Sequence, residues 1–348
     1  MKDNNINENK EKLNFENLNE FHLDSFTDSY ISGGFCIFSS INNILYLIYS
    51  TESKSIIAYD LNNMQKTFEI KNAHEDYISS FKHILDQNKK KDLLMSISYD
   101  TNLSNTLKLW DVKHFQCLFS INSVYKDGFL FCALFLFEEN KSPNNLYILT
   151  SNCTFDYNSE PVYKFDLEGN KIGEINNSYG LDILYLTDFY DKIKSKKYLV
   201  AGTRNNIISF DINENQIYKT YYNQNNFFHT HIIIYEDYKE NNIVKMIESS
   251  TEGKIRIWDF HNVKLLHTIN ISNNWIYGMS LWNVDYCLIG DSYKNIKLID
   301  INKGDKIQDL SENQTNIITI KKIKLKKYGE CIVSQGYKKG GIKLWVQK

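Results

Sequence analysis

The sequence predicts an all-β chain, a seven-bladed β-propeller with four antiparallel strands per blade and a ring closed by an N-terminal strand in the last blade. Three observations predict it. A short strand-like phrase recurs seven times, each period holds four strand-sized apolar segments, and no long segment carries the 3.6-residue periodicity of a helix.

The phrase consists of alternating apolar residues, then an aromatic or apolar residue, then Asp. It reads SIIAYD to Asp60, LKLWD to Asp111, PVYKFD to Asp166, NIISFD to Asp211, KIRIWD to Asp259 and NIKLID to Asp300, and a seventh copy, GIKLWV, ends at Val346. The steps between these end points are 51, 55, 45, 48, 41 and 46 residues, close to one four-stranded blade plus turns. After each Asp comes a turn rich in Asn, Lys or Gly, then a short strand such as KTFEI, CLFSI or LLHTI. A polar loop leads to a strand starting at Ile78, Ile183, Phe228, Ile276 or Ile317, and a further strand (LLMSIS, YLVAGT, IVKMIESS, YCLIGDS, CIVSQG) returns to the next phrase. Ile, Tyr and Phe dominate these segments, and turn formers separate them.

Ring closure follows from the edge problem. The last phrase would leave its blade with an unpaired edge, which invites misassociation. The segment FENLNEFHLDSF, residues 15–26, is long enough to supply the missing outer strand against GIKLWV. The domain is therefore expected over residues 15–348, behind a polar, disordered tail of residues 1–14.

These phrases resemble the WD-repeat family, the propellers typified by the G-protein β subunit. The resemblance covers roughly residues 15–348 and rests on Trp110-Asp111, Trp258-Asp259 and Trp345. It implies one His–Ser–Asp–Trp hydrogen-bond network, built in blade two from His74, Ser96 or Ser98, Asp100 and Trp110. Glu252, Arg204, Tyr293 and Lys339 occupy the corresponding turn in other blades, so those blades are expected to rely on apolar packing. The resemblance also implies that partners dock on the face where the inner strands begin. The residues just before those strands are Tyr30, Tyr77, Asp182, Phe227, Trp275 and Asn316, and Arg204 joins them from a neighbouring turn. Aromatic side chains gathered at one entrance are the commonest anchors of protein interfaces, although single exposed rings also pack on neighbouring loops.

Composition narrows the function. The net charge is −2, whereas a dedicated nucleic-acid binder is usually strongly basic. Arg204 and Arg256 are the only arginines, which argues against a phosphopeptide reader built on an arginine cluster. The six cysteines lack any CxxC pair and suit free thiols in a reducing compartment. The N-terminal segment has no apolar core of a signal peptide, and no run is long enough to span a bilayer. The chain is expected to be cytoplasmic, without a cofactor or bound metal.

No phosphate loop, nucleophile elbow or HExxH motif is present. His229 and His231 are spaced to share a strand face, and His231 aligns with core positions Phe81 and Met279, as in a packed or shaft-facing pair rather than a metal site. The expected function is a non-enzymatic scaffold for a protein or peptide, acting alone or as a subunit of a larger complex. One alternative is a binder of anionic lipid or nucleic acid through Lys321, Lys322, Lys324, Lys326 and Lys327, a run that Glu16, Glu20 and Asp24 would partly offset. Another is an enzyme using Asp182, Asp188, His229 and His231 in the central funnel.

Overall fold

The computed structural model describes residues 14–26, 34–99, 105–126, 128–138, 146–154, 160–175, 182–222, 227–239, 243–292, 295–312 and 315–347. These form seven four-stranded antiparallel sheets and, among the described residues, no helix. Six sheets follow chain order, blade one running from Phe35–Ser39 to Gln65–Ile70. In the seventh, Phe15–Leu23 is hydrogen-bonded outside Ile342–Gln347, followed inward by Gly329–Gly336 and Ile317–Leu325.

The expected closing strand is thus in place, with Phe15 opposite Gln347, Asn17 opposite Trp345 and Leu23 opposite Ile342. Its buried rings point to opposite sides of blade seven. Phe15 meets Trp282 of blade six edge-on at 5.3 Å, and Phe21 meets Tyr59 of blade one edge-on at 5.7 Å. One strand therefore staples three blades.

The apolar cores lie between blades rather than within them. Phe38, Ile48 and Ile56 of blade one pack with Ile78, Leu94 and Trp110 of blade two. Blades seven and one share Leu344, Val333, Leu47 and Ile57 in the same way. A strand covered on both faces favours an unbroken apolar run, which is why Leu45–Ser50 and Tyr286–Asp291 are buried almost throughout. Outer strands such as Gln65–Ile70 face solvent and are polar.

The recurring Asp has a local cause. Asp60 Oδ1 accepts the amide of Asn62, Asp111 that of Lys113, Asp211 that of Asn213 and Asp300 that of Asn302, at 2.9–3.0 Å. Each carboxylate closes a turn between the third and fourth strands, the local bonding that favours Asp in turns. Val346 stands in that place in blade seven, where the fourth strand is Phe15–Leu23 and not a segment joined by such a turn. The turn also forces a residue into the left-handed region: Met64, Phe115, Asn215 and Val263 have φ of 53°, 49°, 51° and 56°.

A second regularity was invisible in the sequence. In blades two to seven the register slips near the start of the inner strand, between Ile78 and Ser80, Leu130 and Cys132, Ile183 and Tyr185, His229 and His231, Ile276 and Gly278, and Ile317 and Thr319. Such a bulge turns successive side chains out of strict alternation, and here it does so at the mouth of the central shaft.

Candidate functional site

Two ends of the ring and the shaft between them offer surfaces. At the end where inner strands begin, Tyr77 and Trp275 remain 36% and 37% exposed. The Tyr77 ring lies 4.5 Å from Phe26 and carries the Lys54 ammonium 5.6 Å from its centre, while Trp275 leans on Tyr277 at 5.8 Å. Phe227 is half-buried, as is Asn316. Tyr30 falls outside the described residues.

Asp182 and Arg204 are committed elsewhere. Asp182 is buried; its Oδ1 accepts the Thr154 amide at 2.9 Å and its Oδ2 pairs with Arg204 Nη2 at 3.2 Å. The Arg204 guanidinium also lies 4.9 Å from the centre of Phe228. The pair braces the turns of blades three and four beneath the mouth, and Asp182 offers no surface of its own. Phe228, placed by the sequence reading at the start of the inner strand, precedes it; the strand runs His229–Asp237.

The hydrogen-bond network of blade two is present in its described members. His74 Nδ1 lies 2.9 Å from Ser98 Oγ and its Nε2 2.7 Å from Ser96 Oγ, and Trp110 Nε1 donates to Ser96 Oγ at 2.8 Å. Burial, aided by the Lys108 charge, lowers the His74 pKa to about 3. A neutral ring closes the network if Ser96 donates to Nε2 and Nδ1–H donates to Ser98. Asp100 lies outside the described residues. Blade seven repeats half of the motif, with Trp345 Nε1 donating to Ser334 Oγ at 2.8 Å.

Blade five departs from both. Glu248 occupies the position of Ser96 and Ser334, and Trp258 Nε1 is buried without a partner. Glu248 instead accepts Arg256 Nη1 at 3.0 Å and faces His229 Nδ1 at 2.8 Å. Burial pushes this carboxyl up, but His229 and Arg256 outweigh it and hold its pKa below the ordinary glutamate value. Asp259 keeps its turn-closing role, accepting the Asn262 amide at 3.1 Å.

The four candidate catalytic residues have four different partners. Asp182 is held by Arg204, Asp188 by Lys197 at 2.8 Å, His229 by Glu248, and the His231 ring lies tilted against Tyr185 at 4.7 Å. The bulge also corrects the expected alignment. His231 shares the register of Ser80 and Gly278, one residue before Phe81 and Met279, and so reaches the shaft rather than the core. No group of three metal-ligating side chains converges among the described residues.

The lysine run of blade seven does not form one patch. Lys322 pairs with Glu330 and lies 4.2 Å over Trp282, Lys321 turns to the shaft, and Lys324 and Lys326 face solvent. Among the described residues no helix is long and apolar enough to cross a membrane.

The sequence reading overlooked the opposite end. Ile41, Leu85, Phe137, Tyr190, Ile193 and Tyr238 are all exposed where the inner strands of blades one to five turn into the second strands. They escaped notice because each belongs to a strand end or a short turn, and only the ring places them on one face. Neither family models nor curated proteins match this chain.

Proposed function

We propose that this chain is a WD-repeat-type propeller that works inside the cell as a non-enzymatic platform, docking a protein or peptide at the end of the ring where Tyr77, Phe227 and Trp275 lie. The family reading is supported by the His74–Ser96–Trp110 network and its half-copy at Ser334 and Trp345. The docking reading is carried by the two rings left more than a third exposed beside a rigid mouth. A buried ion pair and interblade cores fix the backbone there, so a partner meets a preorganised surface and little ordering entropy is spent. Aromatic anchors of this kind each contribute about 2 kcal/mol or more to an interface.

The test captures partners from native extract on wild-type protein and on a Tyr77→Ala/Phe227→Ala/Trp275→Ala variant with an unchanged melting temperature. A stoichiometric partner lost from the variant supports the reading. A partner retained by that variant but lost from Leu85→Ser/Ile193→Ser/Tyr238→Ser moves the docking surface to the opposite end, which the exposed arc there favours as a second reading.

A further inference from the structure

The shaft holds a pair of cations that neither the packing nor the docking surface uses. One residue before the aromatic of each third strand (Ile299 in blade six), the pairing across the second strand leads to a single level on the inner strands. That level holds Cys36, Lys82, Leu134, Thr187, Ile233, Ser280 and Lys321 from blades one to seven. Blades seven, one and two are neighbours around the ring, so Lys321 and Lys82 flank Cys36 on one wall.

Their surroundings locate them on the axis. The Lys82 ammonium, from blade two, interacts with Cys36 of blade one, Cys132 of blade three, and Tyr185 and Asp188 of blade four, and lies 6.0 Å from the centre of the Tyr185 ring. His231, from blade five, feels both Lys321 and Lys82. Side chains from six blades meet in this way only where all the inner strands converge. Both lysines remain in contact with water. Neither ammonium has a hydrogen-bond or ion-pair partner among the described residues.

The charges there are one-sided at neutral pH. Burial drives the Lys321 amine down from its ordinary pKa, and the nearby Lys82 charge adds to this. Burial also opposes the Lys82 charge, but Tyr185, Cys132, Cys36 and Asp188 outweigh it and leave its pKa raised. The phenol and the thiols are themselves pushed up by burial, Cys36 to about 11, and carry no charge near pH 7. Asp188 is already paired with Lys197. Two like charges on one wall of a narrow shaft attract an anion from solvent, because the surrounding protein screens them less than open water does.

We propose that the central shaft binds a small oxyanion, a phosphate group free or carried on a small molecule, held by Lys82 and Lys321 with Tyr185 and His231 forming the facing wall. Phosphate oxygens accept charge-assisted hydrogen bonds from ammonium groups, and the shaft supplies two such donors, the nearby Asp188 carboxylate being held by Lys197. This site is separate from the docking surface, and its success or failure leaves that reading untouched.

The test titrates full-length protein with inorganic phosphate and with pyrophosphate by calorimetry, against chloride at constant ionic strength to remove the contribution of surface charges. Saturable binding near one equivalent is expected in wild type. Lys82→Met and Lys321→Met should each weaken it at least tenfold, the effect of one lost hydrogen bond to a charged group. Lys324→Gln/Lys326→Gln, at the exposed end of the Lys321 strand and in the turn after it, should leave it unchanged. A preference for pyrophosphate would support a ligand whose phosphoryl groups span both amines, and equal affinity would support a single phosphate. The proposal is overturned if wild type shows no saturable binding, if the shaft variants bind like wild type, or if the exposed-lysine control loses binding to the same extent. A Lys82→Arg variant guards against misfolding: it keeps the charge and should retain binding where Met does not.

Discussion

The recurring tryptophans offer a measurement in which one substitution should cost twice as much in one blade as in another. Ser96→Ala removes a hydroxyl that serves two buried groups, the Trp110 Nε1–H at 2.8 Å and His74 Nε2 at 2.7 Å. Neither group has room to find water, since His74 and Trp110 are buried. Leaving a buried donor or acceptor unsatisfied costs about 1–3 kcal/mol, so Ser96→Ala should lose roughly 2–6 kcal/mol. Ser334→Ala orphans only the Trp345 Nε1–H and should lose about half of that. Blade five supplies the control, because Trp258 Nε1 has no partner to lose. Trp258→Phe should therefore cost only the packing of the larger ring, and Trp110→Phe that packing plus a hydrogen bond. Urea unfolding followed by far-UV circular dichroism gives the four free energies, and the Ser96→Ala/Trp110→Phe cycle isolates the coupling. Equal losses from Ser96→Ala and Ser334→Ala, or a coupling under about 0.5 kcal/mol, would refute the argument that blade two is held by a polar network.

Three further outcomes are expected. Deleting residues 1–26 should collapse the cooperative melt while deleting residues 1–12 leaves it unchanged, and Phe21→Ala alone should cost about 3 kcal/mol, the usual loss for a buried ring. The His74 pKa lies near 3 in the folded chain against 6.5 in the unfolded one. The unfolded state therefore binds the proton first as pH falls, and stability drops below pH 6.5; at pH 5 the loss is about 2 kcal/mol. His74→Gln should flatten that slope between pH 6.5 and 5, and an unchanged slope would clear His74 of the effect. Arg204→Met should cost about 3 kcal/mol by stranding the buried Asp182 carboxylate, and adding Asp182→Asn should recover much of it; a denaturation midpoint unmoved by the single change would sink the brace.

The repeat was legible because its strongest marks are local. The Asp at the end of each phrase closes a turn with amides two or three residues away, so it survives in the sequence wherever that turn exists. The same is true of the apolar runs, which blade stacking demands of every second and third strand. The inner-strand bulge left no such mark. The ring sets it, and the residues at the slip are as different as Ser80, Cys132, Tyr185 and His231. Alignment without the bulge put His231 one position too late. The Asp182–Arg204 pair was hidden for a related reason. Both residues lie near the start of the blade-four inner strand or in a turn beside it, but only the fold shows that they satisfy each other across 22 residues of chain.

Seven blades of one design give the ring a near-symmetry in which any position repeats around the axis. A ligand without that symmetry must be recognised where the blades differ. Packing explains some of the differences: Val346 replaces Asp where the fourth strand is Phe15–Leu23, and Glu248 replaces Ser where Arg256 and His229 can hold it. Packing does not explain Lys82 and Lys321. At their level the other blades place Leu134, Thr187, Ile233 and Ser280, uncharged side chains that fit the convergence of strands without a partner. A lysine there loses hydration, and for Lys321 the nearby Lys82 charge adds to that cost, so the Lys321 charge opposes folding in the empty shaft. Replacing Lys321 by Met should then raise the melting temperature in phosphate-free buffer, with phosphate closing the gap by stabilising wild type alone. A Lys321→Met variant that melts lower than wild type without phosphate would mean that the lysine stem packs the shaft wall, and that its charge is incidental to it.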